Sequence, residues 1–249
     1  VSAFLLGGRP GGGKTYYAVE LGCKYIGKGA VFATTTPVKR EAIREYVLQR
    51  YRFRMVDEQL IQLEPAQVPT FWEHVPMGSR EVHNLVHLDE AHEYFSFADR
   101  GKDTRDAYNF FARHRHYRLD ILFGTQRPKN LSSMVRGIIE QKVWVKDMRG
   151  VRSYGIPFPI PNQQLVIVNE YDPDKDTELD EIDRFLQSWD KRVWALYESW
   201  SHDDAKASFI VRNGLVQTGE RVVVDTAQRA CLLASVVSCG VNALLCWVL

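Results

Sequence analysis

Eight consecutive residues, Gly8-Arg9-Pro10-Gly11-Gly12-Gly13-Lys14-Thr15, match the pattern GxxxxGK(S/T) without a gap. Each residue type has a physical reason. Glycines permit a tight turn that brings backbone N–H groups against phosphate oxygens. The helix that follows adds its N-terminal dipole. In this pattern Lys14 reaches the β- and γ-phosphates and the Thr15 hydroxyl ligates Mg²⁺. Gly8, Gly11, Gly12, Gly13, Lys14 and Thr15 are therefore the candidate nucleotide-binding residues, and Lys14 is also a candidate catalytic group. The alternative is a glycine-rich turn without function.

A second constellation follows. Leu85-Val86-His87-Leu88 reads as a strand that delivers Asp89 and Glu90 at its C-terminal end. Ligands of open α/β sheets bind at that edge. Asp89 is the candidate Mg²⁺ ligand opposite Thr15. Glu90 is placed to orient and polarise a water, which is general-base work and suggests hydrolysis more than a kinase reaction. The next strand ends in Thr125-Gln126, where Gln126 is a candidate sensor of the γ-phosphate or of the attacking water; a plain strand-end turn is the alternative. The guanine-binding pattern N/TKxD is absent, so ATP is favoured over GTP. ATP and Mg²⁺ are the expected cofactors.

Arg113, His114, Arg115, His116 and Arg118 precede that strand, and Arg127, Lys129 and Arg136 follow it. Three readings stay open. One is a solvated basic face. Another is a contact to DNA phosphates, whose binding would be salt-dependent. The third is an arginine supplied in trans to a neighbour's nucleotide, with Arg113, Arg115, Arg118 and Arg136 as candidates. No metal site other than the nucleotide's Mg²⁺ is expected. His114 and His116 at i, i+2 do not share a helix face, and His83, His87 and His92 lack a zinc-type arrangement.

These groups need elements to hold them. Residues 3–6, 30–35, 82–88, 119–124 and 142–146 read as strands, with an added strand over 164–169. Helical spacing covers 15–26, 39–51, 107–117, 131–141 and 180–200. Prolines 65, 69 and 76 interrupt residues 53–80, and the alternating prolines of 156–161 exclude a central strand. Strands alternating with helices predict an α/β fold with a mainly parallel sheet covered on both faces. The expected organisation is a P-loop core over 1–155, an extension over 156–229 and a membrane helix over 230–249. Trp189, Trp194 and Trp200 are expected to pack against the domain rather than form a separate partner surface.

Composition is compatible with this. The 249 residues include 32 Lys+Arg and 31 Asp+Glu, with 45% hydrophobic and 25% charged residues. That excludes a disordered or collagen-like chain. A net charge of +1 argues against a whole-molecule polyelectrolyte. Four cysteines without a CxxC pair suggest neither a disulfide framework nor a zinc site.

Ala230 to Leu249 contains no charged residue and is about 30 Å long as a helix, the thickness of a bilayer core. A buried C-terminal core helix is the alternative. Arg221 and Arg229 flank its N-terminal side, which predicts a cytoplasmic body. The sequence stops where such a span would end, so the expectation is a tail anchor or a chain from which a further domain was removed.

The segments GGRPGGGKT, LVHLDEAHEYF and FFARHRHYRLDILFGTQRP, with the later Arg136 and Glu140 and the stretch KRVWALYESWSH, resemble the zonula-occludens-toxin-like (Zot) family, which includes the gene I assembly proteins of filamentous phages. The resemblance implies a RecA-like P-loop NTPase domain in the cytoplasm, one span of the host bacterial inner membrane and a periplasmic C-terminal domain. It implies a homo-oligomeric ATPase that drives assembly and extrusion of a single-stranded DNA virion. Its partners would be coat proteins, single-stranded DNA, membrane lipids and an outer-membrane secretin, the last contact depending on the periplasmic domain. By resemblance Lys14 and Thr15 bind nucleotide, Asp89 and Glu90 serve metal and water, and the Arg113–Arg118 helix lies near the active edge. The alternative from another class is a nucleotide-bound membrane scaffold that does not hydrolyse. A secreted toxin would require export of residues 1–229, for which the sequence offers no signal.

Overall fold

In the computed structural model, residues 2–96, 102–148, 152–153, 156–157, 163–172 and 177–198 are described. Their elements run β1 (Ala3–Gly8), α1 (Lys14–Ile26), β2 (Phe32–Thr34), α2 (Arg40–Tyr51), β3 (Leu60–Gln62), β4 (Asn84–Leu88), α3 (Lys102–Tyr117), β5 (Leu119–Gly124), α4 (Ser133–Arg136), β6 (Gln141–Asp147), β7 (Arg152–Ser153), β8 (Ile156–Pro157), β9 (Gln163–Asp172), β10 (Thr177–Ser188) and α5 (Lys191–Trp194). Eight strands form one sheet in the order β10-β9-β6-β1-β5-β4-β2-β3. From β6 to β3 every pairing is parallel. β9 joins β6 antiparallel, and β10 joins β9 antiparallel. The β7–β8 pair stands apart from this sheet.

Both faces are covered, so the central strands are buried throughout even where they carry Asn84, His87 and Asp120. Every residue of β4 and of β5 is buried. On one face Tyr16, Val19, Cys23 and Ile26 of α1 and Ile43 and Val47 of α2 pack on Leu85, Leu122 and Val143. On the other, Phe110 and Phe111 of α3 pack with Phe71 on Val86, Ile121 and Phe123. The buried stripe Ala107, Phe110, Phe111, His114 along α3 has the i, i+3, i+4, i+7 period of a helix seated on one face.

The strand order positions the site. β5 lies between β1 and β4, in registers that pair Leu6 with Gly124 and Leu88 with Phe123. Three strand ends therefore meet at one edge: Gly8, Gly124 and Leu88, each leading into a residue group singled out above.

Several expectations are corrected. Residues 180–198 do not form the expected helix: Thr177–Ser188 is the edge strand β10, and only Lys191–Trp194 turns as helix, while 199–200 lie outside the described residues. The reason lies in two register shifts of β10 against β9, between Glu178 and Glu181 and between Glu181 and Asp183. The inserted residues break the two-residue alternation and space Leu179, Ile182 and Phe185 three apart, imitating a helix. Residues 131–141 hold one helical turn only, Ser133–Arg136. Leu131 is committed to an antiparallel bridge with Ser96, and Gln141 already pairs with Phe4 in β6. Leu60–Gln62 adds a short parallel strand within 53–80, so the acid-bearing strand is the fourth. β9 and β10 extend the same sheet as β1, so the sheet continues past residue 155. Among the described residues no helix is long and apolar enough to cross a membrane, and 230–249 lies outside them, as does Trp200.

Beyond β10, residues 189–198 cross the first turns of α1. Asp190 N donates to the Tyr16 hydroxyl at 2.6 Å, and Trp189 meets the Tyr16 ring edge-on at 4.5 Å. Trp194 stacks on Trp189, their centroids 5.0 Å apart. The far end is fastened by the Val38–Tyr197 bridge and by Lys39 N donating to Leu196 O at 2.7 Å. This strap holds Glu20 of α1 near Asp190. Burial first, and then the Asp190 charge, raise the Glu20 carboxyl above its ordinary range. The folded protein therefore keeps a proton on Glu20 to higher pH than the unfolded chain does. That contribution is complete below the unfolded value of about 4.3 and is lost as pH rises through the folded one, with a slope of at most about 1.4 kcal/mol per pH unit. Glu20→Gln is expected to be more stable than the parent at pH 7, with the difference vanishing near pH 4, as read by urea unfolding at several pH values.

Candidate functional site: a phosphate cradle facing paired acids

β1 ends in Gly8, and the chain turns through Gly11 and Gly13 at φ 72° and 95°. Gly12 N donates to Arg9 O at 2.9 Å and closes the turn. Gly8 and Gly12 pass so close to β6 that a Cβ would meet the Val145 carbonyl, at 2.5 Å for Gly8. Helix α1 starts at Lys14 with Gly13 as its cap residue. No side chain caps it, and its first turn carries no acidic residue. Its leading N–H groups and positive dipole end therefore point at the loop without an intramolecular anion.

Lys14 makes the need for an anion explicit. The residue is 9% exposed, and its Nζ donates to the Gly8 carbonyl at a long 3.4 Å. Among the described residues no carboxylate lies within ion-pair distance of it. A buried ammonium with so little compensation is costly unless an anion joins it. Residues Gly8, Gly11, Gly12, Gly13, Lys14 and Thr15 thus form one cradle, as the motif predicts, and the cradle fits a phosphate chain.

The acids face it across β5. Asp89 N donates to Thr35 Oγ1 at 2.8 Å, and Glu90 N donates to Asp89 Oδ1 at 3.1 Å. Gly124 separates this carboxylate from β1: a Cβ there would stand 3.0 Å from Asp89 Oδ1, so only glycine lets the carboxylate settle over the end of β5. With strands about 4.8 Å apart, β1 and β4 lie about 10 Å from each other, and the Asp89 carboxylate lies within that gap. Thr15 and Asp89 are the residues that would hold Mg²⁺ at this edge.

Glu90 sits in the left-handed region, at φ 46° and ψ 44°. For a glutamate this is strained backbone of the kind that persists at functional sites. Gln126 Nε2 donates to Glu90 Oε1 at 2.7 Å. Glu90 Oε2 is buried without a hydrogen bond, although His92 Nδ1 stands 3.4 Å away. That same imidazole nitrogen is 3.2 Å from the Thr125 hydroxyl, which accepts from Arg127 N at 3.1 Å. One carboxylate oxygen is thus fixed by Gln126, and the other is left as an open acceptor. Behind them, burial holds the His87 imidazole below its usual range against the opposing Asp89 charge, and Thr34 Oγ1 lies 3.1 Å from its Nδ1.

Lys14, Thr15, Asp89, Glu90 and Gln126 are therefore brought to one edge. The basic residues are not. α3 runs away from that edge into the start of β5, so Arg113, Arg115 and Arg118 lie at the opposite end of the sheet, which corrects their expected place. Arg115 pairs with Glu140, just ahead of β6, and Arg118 is the left-handed residue that ends α3, at φ 53°. Arg136 closes α4, and its Nε is buried without a hydrogen bond. Arg127, exposed and two residues past Thr125, does stand at the active edge. His92, Thr35 and Gly124 complete the site although their sequence signals are weak. Only the position of His92 two residues after Glu90 offered a hint.

The family pattern described as Zonular occludens toxin (Zot) matches residues 2–203. This chain belongs to the Zot family. The Zot match spans both constellations and the strap. Among solved structures the fold is similar to the N-terminal domain of zonular occludens toxin from Neisseria meningitidis, at 21% identity and a TM-score of 0.45, covering 80% of this chain and 99% of that one. It is also similar to the genome-packaging NTPase of Sulfolobus turreted icosahedral virus 2 in complex with ATP-gammaS, at 13% identity and a TM-score of 0.43, covering 76% and 98%. No curated protein sequence matches significantly.

Proposed function

We propose that this Zot-family protein is an ATP-hydrolysing motor with a RecA-like P-loop domain. The observation that carries this reading is the buried, uncompensated Lys14 in a glycine cradle opposite Asp89 and Glu90. The cradle N–H groups and Lys14 bind the β- and γ-phosphates of ATP, and Thr15 and Asp89 hold Mg²⁺. When bound, the metal neutralises charge developing on the phosphate oxygens. Glu90 orients a water on its open oxygen and takes a proton from it, while Gln126 fixes the carboxylate and reports the γ-phosphate.

Residues 1–229 would stand in the cytoplasm, with 230–249 spanning the host bacterial inner membrane. The chain would act there as a homo-oligomer in assembly and extrusion of a filamentous phage, with coat proteins, single-stranded DNA, lipids and a secretin as partners. The uncharged twenty-residue tail, its flanking arginines and the family membership support this. In infected cells the Lys14→Ala variant is expected to insert in the membrane normally and to release no virions. Normal virion yield from that variant would contradict the motor.

A further inference from the structure

Gly13, the residue before the cradle lysine, is clamped from outside the motif. A Cβ placed on it would collide with the Trp189 indole and would stand 2.5 Å from Gln164 Oε1. Both groups reach it through tertiary pairing. Gln164 lies on β9 opposite Gln187 of β10, and Trp189 follows the end of β10. Gln164 is wholly buried, yet its Oε1 has no hydrogen-bond partner. Its orientation is nonetheless defined. Glu20 Oε2 accepts from Gln187 Nε2. The Gln187 Oε1 is thereby turned to accept from Gln164 Nε2, at 2.5 Å. The amide oxygen of Gln164, and not its NH₂, must then face the loop. A carboxylate on α1 thus sets the polarity of a two-amide relay that ends at Gly13.

We propose that Gln164 is a positioning residue of the phosphate loop, which, through the Glu20–Gln187–Gln164 relay and beside Trp189, holds Gly13 in the conformation that binds the triphosphate. The inference rests on the nucleotide reading given above. Glycine at φ 95° has many alternative conformations, and a loop that leaves the competent one binds in proportion to the fraction remaining. Losing one buried hydrogen-bonding group of this kind lowers affinity about tenfold.

The test is titration of the full-length, detergent-solubilised protein with a fluorescent non-hydrolysable ATP analogue and Mg²⁺, alongside thermal unfolding without nucleotide. Gln164→Leu is expected to weaken binding about tenfold with no larger fall in melting temperature than Gln187→Leu, which breaks the same amide–amide bond. Glu20→Gln frees the relay's polarity and is expected to weaken binding about threefold. The double variant should bind no more weakly than Gln164→Leu alone, since both act through one relay. Unchanged binding in Gln164→Leu, a loss that tracks a fall in melting temperature, or additive losses would each overturn the proposal. If Gln164→Leu does not fold, Gln187→Leu at its half-exposed position takes its place, with unchanged binding again counting against the relay. Absence of binding by the parent protein would instead overturn the nucleotide reading itself, and the relay with it.

Discussion

Glu90→Gln is expected to bind ATP as the parent does and to hydrolyse it at least about a hundredfold more slowly, the usual contribution of a positioned general base. One carboxylate oxygen is occupied by Gln126 at 2.7 Å, and the other is an open acceptor in a partly buried site. An amide in its place still fills the left-handed position but accepts no proton. Substrate binding does not depend on this group, because the phosphates contact the cradle and Lys14. Phosphate release, measured beside equilibrium binding of an ATP analogue, separates the motor from a scaffold that binds nucleotide without turnover. A scaffold would show no phosphate release in the parent protein, and hence no difference on substitution.

The second large effect concerns Lys14 and has opposite signs in two assays. Lys14→Met keeps the aliphatic stem and removes the charge. Analogue affinity is expected to fall at least about a hundredfold, since a desolvated charge pair with phosphate is lost. The nucleotide-free protein is expected to melt higher than the parent, because a 9%-exposed ammonium whose one acceptor stands at 3.4 Å is a burden on the empty fold. A variant that lost affinity and stability together would indicate that Lys14 supports the fold rather than the ligand.

What the sequence made legible follows from how local each feature is. The cradle could be read because its glycines, lysine and threonine are contiguous and its flanking strand and helix are strongly apolar. The acid pair could be read because it ends an apolar strand. That β5 stands between them, and that Gly124 leaves room for Asp89, depends on strand order and could not be read from spacing. β3 escaped because three residues carry no period of their own. β10 was mistaken for helix because its register shifts space the apolar residues in threes. The basic residues of α3 are placed at the wrong edge by sequence proximity to Gln126, which does not reveal that the whole length of β5 separates them. The clamp on Gly13 was invisible for a related reason: Gln164 and Trp189 meet the loop only through antiparallel pairing of β9 and β10.

The central claim is that the early glycine cradle and the acids ending β4 embrace one magnesium-bound triphosphate. A structure of the intact protein soaked to saturation with Mg²⁺ and a non-hydrolysable ATP analogue tests it most directly. The prediction is β- and γ-phosphates against the backbone of Gly11 to Thr15, with the metal between the Thr15 hydroxyl and the Asp89 carboxylate. Phosphates bound elsewhere, or an empty cradle at saturating ligand, would contradict it.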